Sequence, residues 1–209
     1  MTIAIIGAGQ VGSALGRNLV ARGEQVHFGV PDPDKYAPLA EQLGGAARVG
    51  TVSAAVAAAA EIVVLAIPYA AAAEAVRGIG DWGGRILVDA TNPIAPGLSG
   101  LSVGTGSSGA EELARLATHA RVIKAFNTTG FENMADPQYL QGRIFMPVCG
   151  DDAAARSKIV ALAISLGFDG VDAGALAAAR YLEPFAMTWI HLAYRQGFGR
   201  HFAFSIIRR

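Results

Sequence analysis

Thr2-Ile3-Ala4-Ile5-Ile6-Gly7-Ala8-Gly9-Gln10-Val11-Gly12 follows directly on Met1. A short apolar run predicts a buried strand, and the helical stretch Val11–Arg22 begins as soon as the glycines end. The same alternation continues down the chain. Gln25–Val30 predicts a second strand, Glu61–Ile67 a third closed by Pro68, Arg85–Asp89 a fourth and Arg121–Ala125 a fifth. Arg143–Cys149 predicts a sixth, with Pro147 placing it toward a sheet edge. Asp151-Asp152 starts a helix that runs through Leu166, and Phe168–Asp172 has the character of a last strand. Ser108-Gly109-Ala110-Glu111 has the spacing of a capping box. Short apolar runs separated by helical lengths indicate a parallel sheet covered on both faces. The expected fold class is α/β, a doubly wound, mostly parallel sheet with a helical C-terminal extension.

Gly7-Ala8-Gly9-Gln10-Val11-Gly12 is G-x-G-x-x-G, a weak signal alone but here set between a strand and a helix, where dinucleotide binding requires it. Gly7 permits the tight turn, Gly9 lets the backbone approach a pyrophosphate, and Gly12 lets helix and strand pack closely. The helix N-terminus presents free amides and a favourable dipole to the phosphates. The bland alternative is a glycine-rich strand–helix turn without a ligand. Residues 1–174 are therefore read as a dinucleotide-binding Rossmann domain. Residues 175–209 are read as a helical extension, packed on that domain or on a dimer partner. Asp32 lies twenty residues beyond Gly12, where an acid would bind an adenosine ribose and favour NAD. It also falls in Pro31-Asp32-Pro33-Asp34, where it can simply start a turn, and Lys35 is placed to neutralise a 2′-phosphate. NAD and NADP both stand.

Composition excludes several other classes. Lys and Arg (17) balance Asp and Glu (17), which leaves no cationic surface for nonspecific nucleic-acid binding. Hydrophobic residues make up 52% and charged residues 16%, the wrong balance for disorder. The single cysteine, Cys149, rules out an intramolecular disulfide and a thiolate metal cluster within one chain. With no leader or apolar span in the sequence, the expectation is a cytoplasmic protein without membrane contact. His27, His119, His191 and His201 lack metal-ligand spacing, and no G-x-S-x-G elbow occurs, so no metal ligand and no nucleophile is assigned. His119 is expected at a helix end. His191 and Arg195 share a helix face, open to an anionic ligand tail or to an interface. The alanine runs 57–60 and 70–73 sit in helical contexts and need no functional role. Pro96–Gly109 is rich in Gly and Ser, and is either a flap over a site or a plain connection. The tail is apolar on more than one face through Met187, Trp189, Ile190, Ala193, Tyr194 and Phe198. It is read as a homodimer surface over Glu183–Phe204, or else as a cover for one side of the sheet.

Strand ends are where an open α/β sheet binds ligands. Ala66-Ile67-Pro68, Ala90-Thr91-Asn92-Pro93 and Lys124-Ala125-Phe126-Asn127-Thr128-Thr129-Gly130 occupy three of them, with Phe126 offering an aromatic wall beside polar groups. Asn92 and Asn127 can equally serve as turn caps. The glycine turn, Asp89-Ala90-Thr91-Asn92-Pro93, Lys124-Ala125-Phe126-Asn127, and Ala179-Arg180-Tyr181-Leu182-Glu183-Pro184 with Trp189-Ile190 occur in that order. Together they resemble the NADPH-dependent deazaflavin reductase family, the NADP oxidoreductases that use coenzyme F-420. The cofactor domain also resembles the cytosolic domain of the STEAP metalloreductases.

The resemblance implies hydride transfer between nicotinamide C4 and a deazaflavin or flavin ring stacked close to it. It implies that Gly7, Gly9, Gln10 and Val11 bind the pyrophosphate, and that Ala66, Ile67 and Pro68 border the adenosine and ribose. It places Asn92 and Pro93 at the nicotinamide half, and Phe126, Asn127 and Thr128 where the rings meet. Family members present a serine-like group and an arginine to the 2′-phosphate where this chain has Val30 and Pro31. Lys35 takes over that role, or Asp32 turns the site toward NAD. Direct ring-to-ring transfer requires no side-chain acid or base, so no catalytic residue is assigned. Two other readings stand beside this one: a reductase of a small carbonyl or imine, and a nucleotide-sensing protein without turnover.

Overall fold

The side chains of Thr2–Ile6 (β1) alternate between two cores. Ile3 and Ile5 enter one hydrophobic cluster, and Ala4 and Ile6 enter the other. The same division recurs in Ile62–Leu65 (β4), where Ile62 and Val64 face one way and Val63 and Leu65 the other. A strand buried on both faces must be covered by helices on both sides, and this requirement organises the molecule.

The computed structural model describes Met1–Arg209. Between β1 and β4 lie α1 (Gln10–Ala21), β2 (Gln25–Gly29), α2 (Pro33–Leu43), β3 (Ala47–Gly50) and α3 (Val52–Ala58). Beyond β4 come α4 (Tyr69–Ile79), β5 (Ile86–Asp89), α5 (Gly109–Leu116), β6 (Arg121–Lys124), α6 (Phe131–Ala135), β7 (Phe145–Gly150), α7 (Ala153–Ser165), β8 (Asp169–Asp172) and α8 (Ala179–Arg195). The eight strands form one sheet in the order β3-β2-β1-β4-β5-β6-β7-β8. Every adjacent pair is parallel except β6 with β7. Chain order reverses between β1 and β4, which opens the crevice at their carboxyl ends. The doubly wound, mostly parallel α/β sheet read from the sequence is the fold of this chain.

One strand is added to those expected, and one expectation is corrected. Ala47–Gly50 is a strand that the apolar runs do not reveal: it is short, Arg48 is exposed, and it pairs only with β2 at the sheet edge. Pro147 does not mark an edge, because β7 lies between β6 and β8. The proline is tolerated because β6 and β7 share only two residue pairs, Ile123 with Gly150 and Lys124 with Cys149. At Pro147 no ladder hydrogen bond to β6 is needed. His119 is also not a dipole partner within a helix. It stands past the end of α5 with φ +59° and pairs with Asp81 at 3.0 Å.

The chain after α8 folds back on the domain. Phe145 N donates to Phe204 O at 2.9 Å, and the Trp189 ring stacks on Phe202 with centroids 5.2 Å apart. No helix is long and apolar enough to cross a membrane. No group of three or more His, Cys, Asp and Glu side chains could hold a metal ion. Cys149 is fully buried on β7, and burial pushes its thiol up to about 12. A thiol reagent at neutral pH should therefore leave Cys149 unmodified in the native protein and label it fully in denaturant. Fast labelling without denaturant would show that β7 opens in the folded state.

Candidate functional site

At the end of β1, Gly7 adopts φ +100°, and a Cβ there would lie 2.5 Å from the carbonyl oxygen of Ala66. A Cβ on Gly12 would lie 2.1 Å from the Gly7 carbonyl oxygen. Both glycines are thus demanded by the packing of β1, α1 and the end of β4. Gly9 differs: its φ is −71°, and a Cβ on it would meet nothing within 4 Å. Protein packing gives no reason for glycine there, whereas a ligand in the open space above it would. Gly9 is the N-cap of α1 and makes no side-chain cap, so the first amides of that helix receive no side-chain acceptor.

Beside this turn lies a cleft of about 560 Å³ whose walls include Gly7, Gly29, Pro31, Ile67, Pro68 and Glu74. The fold thus brings Gly7, Pro31, Ile67 and Pro68 together, as the sequence reading expects. Ala66 is at the Gly7 turn, and Gln10 and Val11 begin α1 beside it. Val30 is only 2% exposed and sits within the core behind the wall. Lys35 is exposed, with its ammonium 5.5 Å from the centroid of the Tyr36 ring. Asp32 caps α2, accepting from Lys35 N at 3.4 Å. Sequence reasoning missed Val52, Ser53, Ala71 and Glu74 in this cleft. Val52 and Ser53 follow the unrecognised β3, and the other two lie on an alanine-rich helix that carries no functional signal.

The ends of β5 and β6 are joined by buried charge. Lys124 Nζ donates to Asp89 Oδ2 at 2.9 Å and to Thr91 O at 2.7 Å, and lies 2.9 Å from Glu183 Oε1. Asp89 Oδ1 accepts from Thr91 N at 2.9 Å and Thr91 Oγ1 at 2.6 Å. Glu183, on α8, accepts from Gly109 N at 2.9 Å and Ala110 N at 3.1 Å, so it caps α5 from another element. Ser108 shares this helix end, accepting from Glu111 N at 3.2 Å. All three charged side chains are at most 2% exposed. Burial alone would lower the Lys124 pKa, but the carboxylates of Asp89 and Glu183 override it and hold the ammonium above its ordinary value.

This network fixes the loops above it. Asn92 Nδ2 donates to Asn127 O at 2.8 Å, and Asn127 Nδ2 donates to Asn92 Oδ1 at 3.0 Å, tying the two strand ends together. Pro93 is buried beside them, and Thr128 is 3% exposed near the Met146 sulfur. Phe126 does not supply an aromatic wall. Its ring is 1% exposed and stands edge-on to Phe168 at 6.1 Å, inside the core. Its backbone has φ +58°, an uncommon conformation for an aromatic residue, and its N–H points at Met146 Sδ at 3.2 Å. What Phe126 brings to the site is a sharp backbone turn.

A second cleft, of about 540 Å³, lies between the Gly/Ser segment and α8, with Leu101, Gly104, Ser107, Pro184, Met187 and His191 among its walls. The segment is tied down by Arg195 Nη2, which donates to Gly97 O at 2.6 Å, and by Ser102 N, which donates to Pro93 O at 2.7 Å. Arg195 thus holds the segment, while His191, on the same helix face, borders the cleft.

Residues 2–93 match the family model of the coenzyme F420-dependent NADP oxidoreductases. A structure described provisionally as an F420-dependent NADP reductase of Arthrobacter sp. FB24 is 31% identical, with all of both chains covered and a TM-score of 0.89. The chain belongs to the F420-dependent NADP oxidoreductase family. A hypothetical protein of Sinorhizobium meliloti is 33% identical, with 88% of this chain and 90% of that one covered and a TM-score of 0.80. Metalloreductase STEAP3 of Rattus norvegicus is 30% identical over 182 residues, 87% of this chain. This oxidoreductase-family chain spans 35% of that metalloreductase's length. In this family member three of the four segments that carry the resemblance, all but the glycine turn, meet physically through Asp89, Lys124 and Glu183.

Replacing Lys124 by Met would strand two carboxylates in the interior. Urea denaturation should show a loss of about 3–5 kcal/mol for Lys124→Met, partly recovered when Glu183→Gln is added. A loss below about 1 kcal/mol, within the range of a simple surface change, would show that the triad does not hold the strand ends.

Proposed function

We propose that this chain binds a nicotinamide dinucleotide along the carboxyl ends of β1, β4 and β5, and passes a hydride between it and a deazaflavin or flavin ring. Family membership supports the chemistry. The observation that carries the site is Gly9, a glycine whose missing side chain leaves open space at an uncapped helix N-terminus.

In this reading Gly7, Gly9, Gln10 and Val11 hold the pyrophosphate, with backbone amides and the α1 dipole as the attracting groups. Pro31, Ala66, Ile67 and Pro68 border the adenosine. Asn92, Pro93, Asn127 and Thr128 form the platform for the nicotinamide half, held rigid by the Asn92–Asn127 pair and the charged triad beneath it. Bound there, the dinucleotide supplies a hydride, two electrons and one hydrogen nucleus together. The protein's contribution is to place donor and acceptor in contact and to exclude water.

The second cleft takes the acceptor ring. Leu101, Pro184 and Met187 offer apolar surface, and Ser107, Thr188 and His191 offer polar groups at its walls. Gly104 lines this cleft, and a Cβ on it would meet nothing within 4 Å. Gly104→Trp should therefore fold normally, keep its dinucleotide affinity, and lose most turnover with a deazaflavin or flavin. Gly9→Ala should do the converse: stability should change by less than about 1 kcal/mol while dinucleotide affinity falls at least about tenfold. Calorimetric titration and acceptor-reduction assays check both variants, and full dinucleotide affinity in Gly9→Ala would move the site elsewhere.

We also propose a homodimer formed through Glu183–Phe204. Within it Tyr194 and Phe198 stay exposed at the end of α8 and just after, apolar surface that a second copy would cover. Light scattering should give the mass of two chains, and a mass of one chain would remove the dimer.

A further inference from the structure

We propose that the adenosine cleft reads an unphosphorylated ribose, so that this chain uses NADH in preference to NADPH. The inference rests on the dinucleotide reading above and goes on to say which dinucleotide fits.

A ribose 2′-phosphate brings close to two negative charges and three acceptor oxygens, and it is held where cations and donors surround it. The 560 Å³ cleft provides the opposite. Its walls contain no Lys or Arg, and its one charged residue is Glu74. At the end of β2, where the ribose of a bound dinucleotide is read, Val30 turns into the core and Pro31 lines the cleft. Proline has neither an N–H nor a side-chain donor, so Pro31 offers a phosphate no hydrogen bond, and the Ser53 hydroxyl at the start of α3 is the one side-chain donor on these walls.

The neighbouring helix end does not make up the deficit. The α2 N-terminus would attract an anion, but the Asp32 carboxylate already caps it, and Asp34 adds a second negative charge in its first turn. Lys35 is the nearest cation in sequence, and its ammonium lies over the Tyr36 ring and is not among the groups that line the cleft. Glu74 is the one charge on the cleft walls, and Asp32 and Asp34 offset Lys35 at the start of α2, so no net positive charge there meets a phosphate. The Glu74 carboxylate is an acceptor for a ribose hydroxyl or an adenine amino group, which suits an unmodified adenosine.

The test is titration of the purified protein with NADH and with NADPH at low and at physiological ionic strength. NADH should bind at least about tenfold more tightly at low salt. The gap should narrow as salt is added, because screening relieves repulsion of the phosphate. A cation gripping the phosphate would give the reverse trend. Pro31→Arg changes an exposed residue of the cleft wall, and should raise NADPH affinity relative to NADH affinity about tenfold or more. Glu74→Gln should shift the preference the same way by a smaller factor. NADPH binding as tightly as NADH, or weakening with salt more steeply, overturns this inference and leaves the dinucleotide reading intact. Binding of neither nucleotide overturns both.

Discussion

A single ammonium group deep in the protein holds together segments that are far apart in the chain. Lys124 has three donors and three acceptors, one from β5, one from the loop after it, and one from α8. A buried charge with any partner missing is costly, so the arrangement is close to all or none. Two carboxylates against one ammonium leave an excess negative charge, and the N-terminus of α5 offsets it through the amides of Gly109 and Ala110. The C-terminal helix is therefore a structural part of the strand ends, because its Glu183 completes their electrostatics.

From that network upward, each layer constrains the next. The triad sets the Thr91 carbonyl, the Asn92–Asn127 exchange sets the two loops, and the turn at Phe126 directs the chain away from the sheet. On the other side of the crevice, the glycine turn divides its tasks. Gly7 and Gly12 serve the backbone packing of β1 and α1, while Gly9 leaves its space to whatever binds. The crevice lies where chain order reverses, so helices that diverge from it leave it uncovered. Rigid strand ends and an open mouth suit chemistry that depends on placement more than on an acid or base.

Membership of the oxidoreductase family settles the framework, and the proposed nucleotide preference rests on the cleft beside the glycine turn. Val30 and Pro31 stand at the end of β2, and with Glu74 they leave the cleft beside the glycine turn without a cationic side chain on its walls. Ligand preference and fold are separable at Pro31 and Glu74, which are both exposed and outside the core.

The alternation of apolar runs and helical lengths determined the doubly wound sheet, because strands buried on both faces leave no other period. The glycine turn was legible for the same reason: close backbone approach admits only glycine at Gly7 and Gly12. Asp152 and Ser108 were readable as helix starts because capping is local in sequence. The edge strand Ala47–Gly50 was not legible, since a half-exposed four-residue strand carries no apolar run. Nor could spacing show that Pro147 lies inside the sheet, because only the two-residue pairing of β6 and β7 makes it harmless there. The burial of the Phe126 ring, the place of Glu74 in the cleft beside the glycine turn and the meeting of Asp89, Lys124 and Glu183 were decided by tertiary structure alone. Such contacts join residues tens of positions apart, and their geometry is set by how the helices pack over the strand ends, which no local pattern records.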